Sequence, residues 1–169
     1  MRALAERPWA APALVGGLSA GALVFALVAQ YGFGLEPCVL CLYQRWPFVV
    51  ALGLGALGIG LALAGRSPAP TLALAGLACL GNAGLALYHV GIEEHWWQGS
   101  AACTGSAAQG LSLEELKAAI LAAPPVRCDE VAWRLFGLSM AGWNAPLSAA
   151  LGLFSLAAAW RLGPWVRRP

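Results

Sequence analysis

The sequence predicts an all-α membrane protein, a four-helix transmembrane bundle with a long outer loop that contains a short amphipathic helix. Three observations support this prediction. The 169 residues are 60% hydrophobic and 11% charged, too few charges to cover a soluble globule of this size. Four long uncharged runs lack the alternating pattern of membrane barrel strands. Four of the five cysteines and four of the eight tryptophans lie in the two segments expected to form the outer loops.

Each uncharged run is long enough to cross a membrane as a helix. The runs contain 28 residues after Arg7, 20 after Arg45, 26 after Arg66 and 26 after Arg134, and about 20 residues suffice. We place the spans at about 11–32, 46–65, 70–91 and 144–162, with outer loops at about 33–45 and 92–143. All of them belong to one integral-membrane domain, residues 1–169.

Two alternatives concern the composition of these runs. The first run could be a cleavable signal peptide, but its length exceeds a normal h-region and no clear A-x-A site ends it. The glycines could form a nucleotide loop, but small residues within apolar helices are typical of close helix packing. We interpret them as packing residues: Gly53, Gly55, Gly58, Gly60, Gly76, Gly81 and Gly84.

The distribution of charge predicts the orientation. With four spans, both termini lie on the same side as the connection at Arg66, and that side collects Arg2, Arg7, Arg66, Arg161, Arg167 and Arg168. By the positive-inside rule this side is cytoplasmic, so the two outer loops are expected on the opposite side of the membrane. Seven of the eight acidic residues, all except Glu6, lie on the outer side. Nothing resembles a basic nucleic-acid-binding face.

The long outer loop is expected to lie close to the membrane surface. It contains Trp96, Trp97, Trp133 and Trp143, and tryptophan is enriched at the membrane interface. A capping box of Ser112 and Glu115 predicts a helix from Ser112 to about Ala123, ended by Pro124-Pro125. Its apolar face is Leu113, Leu116 and Ile120. This helix could lie on the bilayer or pack against other loop residues.

The cysteines supply the main functional signal. Cys38 and Cys41 form a C-x-x-C in the short outer loop, and Cys103 and Cys128 lie in the long outer loop. Outside the cytosol, paired cysteines form and keep disulfides. The fifth, Cys79, lies within the third span and is predicted to be a small buried hydrophobe.

A C-x-x-C pair closes so small a loop that its disulfide exchanges readily. A helix N-terminus stabilises a thiolate, and Arg45 lies four residues beyond Cys41. Exchange chemistry needs this stabilisation, because the thiolate is the attacking and leaving species. Pro47 limits the geometry: its missing N–H suits only a first helical turn, so the helix is not expected to begin much before Tyr43.

Two non-redox alternatives remain for the four outer cysteines. They could form a structural zinc site, although the 24 residues between Cys103 and Cys128 do not provide the second tight knuckle that is usual in zinc ribbons. They could also form two purely structural disulfides. We predict no metal.

Two ionisable residues lie at membrane depth, which makes them candidates for a functional site. Arg45 lies at the outer end of the second span and His89 at the outer end of the third, at the level of the C-x-x-C. Arg45 could instead reach toward lipid phosphate, and His89 could be an interface anchor. Gln44, Tyr88 and Glu93 are weaker polar candidates nearby.

The string Cys38-Val39-Leu40-Cys41-Leu42-Tyr43-Gln44-Arg45 closely resembles the signature of the disulfide bond formation protein B family, quinone-reducing thiol oxidases of bacterial inner membranes. The resemblance extends over the four spans, the two loop cysteines and the segment from Cys128 to Trp143. The compartment that such proteins serve is kept oxidising kinetically, by electron flow from a soluble oxidase through a membrane protein to quinone.

The resemblance implies a route for electrons. A reduced, soluble, periplasmic thioredoxin-fold oxidase (DsbA-like) would attack the loop disulfide at Cys103, Cys128 would then engage Cys38, and Cys41 would be the thiolate that faces the quinone, either ubiquinone or menaquinone. Arg45 would stabilise that thiolate and the charge developing on the quinone. His89 would match a histidine that precedes the loop in some members.

Some residues depart from the family pattern, namely Pro47 and the stretch Glu93-Glu94-His95-Trp96-Trp97. A vitamin K epoxide reductase type of enzyme also combines a helical bundle, quinone and paired cysteines, but there the loop pair precedes the C-x-x-C. Here the loop pair follows it, which favours the first family.

Overall fold

The computed structural model describes residues 7–100, 103, 112–122 and 126–163. Its helices are α1 (Ala10–Leu27), α2 (Val39–Tyr43), α3 (Arg45–Leu63), α4 (Ala69–Glu93), α5 (Leu113–Ala122) and α6 (Met140–Leu162). A π-helical turn, Val28–Gly32, extends α1, and strands β1 (Arg134–Leu135) and β2 (Leu138–Ser139) precede α6. Several residues used in the sequence argument lie outside the described residues: Arg2, Glu6, Ala123, Pro124, Pro125, Arg167 and Arg168.

The predicted four-helix membrane bundle is confirmed. The described residues contain four helical segments long and apolar enough to cross a membrane, Ala10–Gly32, Val39–Leu63, Ala69–Glu93 and Met140–Leu162. The second differs most from the predicted 46–65, because helical structure begins several residues earlier.

The early start of the second segment comes from α2, a separate short helix. Cys38 precedes α2 in an extended conformation, and its Sγ accepts a hydrogen bond from the backbone N–H of Cys41. The chain turns at Gln44 and α3 begins at Arg45, which makes Pro47 the third residue of α3. The constraint from Pro47 therefore applies to the start of α3. In the first turn of that helix, the N–H that proline lacks would have no hydrogen-bond partner anyway. The prediction was wrong for the chain before Tyr43, because α2 ends before the proline could interrupt it.

The bundle packs in pairs. Helix α4 packs most extensively against α6 and α1 against α3, and α3 also contacts α4. The core at the centre of these contacts includes Val15, Ala51, Leu72 and Leu151. Cys79 is fully buried in it, as predicted for a small hydrophobe.

The packing role predicted for the glycines is confirmed at three positions. A Cβ at Gly55 would lie 2.8 Å from the Cα of Gly16, and a Cβ at Gly76 would lie 3.0 Å from the carbonyl oxygen of Gly152. A Cβ at Gly58 would lie 2.7 Å from Thr71 Oγ1. These close approaches let helix backbones meet without intervening side chains.

The prediction was wrong for the other glycines, where a Cβ would meet nothing within 4 Å: Gly53, Gly60, Gly81 and Gly84. In α3 the difference follows from helical periodicity, since Gly53 and Gly60 each lie two positions from a packing glycine and point to nearly the opposite face.

The long outer segment contains α5 and a two-residue hairpin. The predicted capping box is present, because Glu115 Oε2 accepts from the backbone N–H of Ser112 at 2.8 Å and from its hydroxyl at 2.7 Å. Leu113 is exposed, and the side chains of Leu116 and Ile120 lie outside the described residues. The hairpin pairs Arg134 with Ser139 and Leu135 with Leu138. Its turn, Phe136-Gly137, has positive φ at both residues, the geometry that matches strand twist in tight hairpins.

Candidate functional site

The four outer cysteines gather at the outer end of the bundle. Cys38, Cys103 and Cys128 are buried in one apolar cluster, and Cys41 packs against it. The Sγ atoms of Cys38 and Cys41 lie 3.1 Å apart, and the backbone N–H of Cys128 donates to the carbonyl of Cys103 at 2.8 Å. The structure therefore brings together two pairs that are far apart in the sequence.

The contact between the pairs is made by Cys38 and Cys128. The Sγ atoms of these two residues and a ring nitrogen of His89 all lie within 4.8 Å of one another. This spacing is short enough for exchange between the pairs to need only a small local rearrangement.

The environment of Cys38 favours its thiolate. Hydrogen bonds with Cys41 and with His89 lower the pKa of Cys38 well below its ordinary value, although burial opposes this shift. The N–H of Cys41 at the start of α2 adds to the effect. The described hydrogen-bond donors thus surround Cys38, whereas the sequence argument placed the stabilised thiolate at Cys41.

The second pair has a different electrostatic environment. Burial raises the pKa of the Cys128 thiol, and a hydrogen bond with Cys103 raises it further. A thiolate of high pKa is a strong nucleophile but a poor leaving group, whereas a thiolate of low pKa leaves readily. Attack by Cys128 on Cys38 would therefore use a strong nucleophile, and a later attack by Cys103 on Cys128 would release Cys38, a good leaving group.

His89 links α4 to the C-x-x-C. Its Nε2 lies 3.5 Å from Cys38 Sγ, and its Nδ1 lies 2.9 Å from Gln44 Nε2. On its other side, Glu93 Oε1 lies 3.8 Å from Nε2. The predicted position of His89 beside the cysteines is therefore observed.

Arg45 occupies the same end of the bundle and contacts α1. Its Nη1 donates a hydrogen bond of 2.7 Å to Gln30 Oε1. Gln30 lies in the π-helical turn, a local irregularity that recurs at functional sites. This contact holds the guanidinium within the protein, which favours a role beyond reaching to lipid phosphate.

A cavity of about 330 Å³ opens beside these residues. Apolar residues of α1, of α6 and of the segment 126–135 form most of its apolar wall. Its polar lining consists of Glu36, Cys38, Cys41, Gln44, Arg45, His89, Glu93, Arg127, Glu130 and Asn144. An apolar pocket with a few convergent polar groups is typical of a small-molecule site.

Comparisons with known proteins agree with this geometry. The family described as "Disulfide bond formation protein DsbB" matches residues 8–158. The chain belongs to the DsbB family. A relative named "Disulfide bond formation protein B" from Hahella chejuensis is 34% identical over 159 residues, covering 89% of this chain and 88% of its own. No solved structure matches the chain significantly.

Other relatives span the chain similarly. A protein of the same name from Xanthomonas axonopodis is 31% identical over 88% of this chain and 89% of its own. An uncharacterized protein of Rickettsia prowazekii is 30% identical over 79% of this chain and 77% of its own. Membership of the DsbB family makes this a membrane protein of disulfide bond formation, with disulfide oxidoreductase activity.

Several polar residues of the site were missed or undervalued from the sequence. Gln44 and Glu93 were weak candidates, yet both are buried at the site, and Glu93 Oε2 accepts from the Ser139 hydroxyl. Gln30, Asn82, Asn144 and Ser148 were not predicted at all. Each is a neutral polar side chain within an apolar run, a signal distinct from the ionisable residues that mark Arg45 and His89.

The site also bears on the metal prediction. A four-cysteine zinc site is not what the described residues form, because the donors that converge are Cys38, His89 and Cys128. Such a set could hold a thiophilic ion, so the absence of metal stays a prediction.

Proposed function

We propose that this protein is a quinone-dependent thiol oxidase of the bacterial inner membrane. It would reoxidise a soluble periplasmic thioredoxin-fold oxidase and pass the electrons through its two cysteine pairs to ubiquinone or menaquinone. The observation that supports this most is the convergence of Cys38, Cys41, Cys103 and Cys128 beside an apolar cavity.

The exchange steps follow from the cysteine positions. A thiolate of the partner attacks Cys103, breaks the Cys103–Cys128 bond and releases the Cys128 thiolate. Cys128 attacks Cys38, breaks the Cys38–Cys41 bond and releases the Cys41 thiolate. The partner's second thiol then releases Cys103, which restores the loop bond by attacking Cys128 and releasing Cys38.

The balance of these steps leaves the partner oxidised and Cys38 and Cys41 reduced. Re-forming the Cys38–Cys41 bond releases two electrons and two protons, and a quinone held by the residues of the cavity would supply the acceptor. The low pKa of Cys38 supports the last exchange, because Cys38 is then the leaving thiolate.

The residues around the cavity fit a quinone. Its apolar walls suit a ring with an isoprenoid tail, and Arg45, Gln44 and His89 offer polar groups for ring oxygens. Cys41 lines the cavity with Arg45, as the expected electron route requires. The guanidinium would stabilise negative charge there, in surroundings of low dielectric constant.

A test compares two cysteine variants in the same assay. Purified protein, a reduced dithiol protein and a quinone are mixed, and the quinone absorbance is followed. Cys41→Ser should abolish quinone reduction yet leave the Cys103–Cys128 bond able to form, because that bond does not involve the C-x-x-C. The matched control is Cys79→Ala, which should keep wild-type turnover since Cys79 lies in the bundle core.

Turnover by Cys41→Ser above a few per cent of wild type would contradict the assignment. A metal-binding protein is the second candidate, because donors of Cys38, His89 and Cys128 converge. Tight zinc binding without quinone reduction would favour it.

A further inference from the structure

A line of buried amide and hydroxyl groups runs from the bundle interior to His89. Ser148 Oγ donates to Asn144 Oδ1 at 2.9 Å, and Asn82 Nδ2 donates to the same oxygen at 3.4 Å. Asn144 Nδ2 donates to Gln44 Oε1, and Gln44 Nε2 lies 2.9 Å from His89 Nδ1. The line crosses three helical segments of the bundle and ends at Cys38, 3.5 Å from His89 Nε2.

This line has a direction, because each amide has one accepting and one donating end. Asn144 uses its oxygen toward Ser148 and Asn82, so its NH₂ group faces Gln44. Gln44 then uses its oxygen toward Asn144, so its own NH₂ group faces His89. His89 Nδ1 is left as an acceptor, and the ring hydrogen must lie on Nε2.

The groups around Nε2 of His89 also favour a hydrogen on that nitrogen. Nε2 faces Cys38 Sγ at 3.5 Å and Glu93 Oε1 at 3.8 Å. A thiolate and a carboxylate are both acceptors, so Nε2 should donate. The N–H of Gln44 that faces Nδ1 also opposes a second proton on the ring.

Most of the line is shielded from water, although Asn144 is half-buried and Gln44, Asn144 and His89 border the cavity. Gln44, Asn82 and Ser148 are at most 5% exposed, and His89 is 2% exposed. Water therefore has little access to Gln44, Asn82, Ser148 and His89 as an alternative partner. Turning one amide would place two donors or two acceptors against each other, at the cost of desolvating both.

We propose that Asn144 and Gln44 are positioning residues that hold His89 as the neutral tautomer with its hydrogen on Nε2, directed at Cys38. This inference deepens the proposed function, on which it rests for the role of Cys38. In this tautomer His89 stabilises the Cys38 thiolate as a hydrogen-bond donor. In the opposite tautomer, Nε2 would instead accept a proton from the thiol.

The test is nitrogen NMR of the full-length protein, labelled with ¹⁵N-histidine, reduced with dithiothreitol and held in detergent micelles. The chain has two histidines, so His95→Gln isolates the His89 signals. The wild-type ring should show one protonated nitrogen, assigned to Nε2 by its couplings to the ring carbons. A protonated Nδ1, or hydrogens on both nitrogens, would overturn the proposal.

A variant tests whether the amide line is the cause. Asn144→Leu, similar in size, frees Gln44 to turn and should give a mixture of the two neutral tautomers without touching His89. Ser155→Ala is the control on the same helix, since its hydroxyl bonds only to the Leu151 carbonyl among the described contacts, and it should keep one tautomer.

An unchanged single tautomer in Asn144→Leu would also overturn the proposal. Asn144→Ala serves if the leucine variant does not fold, as judged by circular dichroism. The NMR readout requires neither quinone nor partner, so its failure is distinguishable from failure of the proposed function, which the quinone assay measures.

Discussion

Cys38 gains its reactivity from its position at a helix start. As the residue before α2, it accepts from the Cys41 N–H, while His89 approaches from α4. Neither contact depends on a nearby arginine or lysine. The pKa of Cys38 therefore falls through hydrogen bonds and one histidine, against the opposing effect of burial. The lowered pKa favours the thiolate form of Cys38.

Substitution of Arg45 separates two possible roles of its positive charge, as a membrane anchor or as part of the candidate site. If it only reached toward lipid, Arg45→Lys would retain full activity. The guanidinium instead bonds Gln30 and lines the cavity, and lysine cannot keep both contacts with one ammonium group. We expect Arg45→Lys to keep the fold and weaken quinone turnover, with Arg45→Ala slower by about 30-fold to 1,000-fold, from roughly 2 to 4 kcal/mol of lost stabilisation.

Steady-state kinetics at varied quinone concentration measure this effect. The control is Arg66→Lys, at an exposed position in the connection between α3 and α4, which should leave turnover unchanged. Wild-type kcat and KM in both Arg45 variants would return Arg45 to the role of a membrane anchor.

At the scale of elements, a tryptophan side chain packs over the C-terminal end of α4. Trp97 folds back over Gly91, stacks on Tyr88 with ring centroids 5.9 Å apart, and donates from Nε1 to the Tyr88 carbonyl at 3.0 Å. The backbone reverses at His95, which has a φ of 59°. Because His89 and Glu93 lie on the same helical end, this packing positions part of the site.

Gly91→Ala should therefore destabilise the outer end of α4. A Cβ at Gly91 would lie 2.0 Å from Trp97 Cζ2, so the indole must move and lose its stack and hydrogen bond. We expect a loss of about 1 to 3 kcal/mol, typical of overpacking. Thermal unfolding in detergent, followed by tryptophan fluorescence, measures it.

Gly84→Ala is the matched control in the same helix. A Cβ there would meet nothing within 4 Å, and alanine favours helix over glycine by about 1 kcal/mol. Its Tm should equal or exceed that of wild type. Equal Tm values for Gly91→Ala and Gly84→Ala would show that Trp97 does not pack on Gly91.

At the scale of the whole molecule, the sequence predicts those features whose pattern lies within a single stretch of the chain. The spans follow from uncharged runs, and the C-x-x-C is contiguous in sequence. The amide line could not be predicted, because it requires the rotation of three helical segments about their axes to bring Gln44, Asn82 and Asn144 together. Helix rotation depends on packing, such as that of Gly76 against Gly152, which no single segment specifies.

The hairpin before α6 shows the same limit on a smaller scale. Phe136-Gly137 is a weak turn signal, since phenylalanine rarely adopts positive φ. Once formed, the hairpin places Ser139 at the start of α6, where its side chain accepts from Gly142 N–H and its hydroxyl donates to Glu93. A turn that is poorly predicted locally thus contributes to the site through contacts made elsewhere.

The orientation of the bundle leads to the last prediction. Arg66 and Arg161 lie at the end of the bundle opposite the cysteines, and positive residues favour the cytoplasmic side. In a variant with all five native cysteines replaced, we expect Gln98→Cys to react with a membrane-impermeant maleimide in intact spheroplasts. Ala64→Cys, at the end of α3, should react only after permeabilisation.

Both positions are exposed in the structure, so a difference in labelling reports the side of the membrane and not burial. Labelling of Ala64→Cys in intact spheroplasts, with Gln98→Cys protected, would place the paired cysteines in the reducing cytoplasm, where their disulfides could not persist and the proposed oxidase could not work.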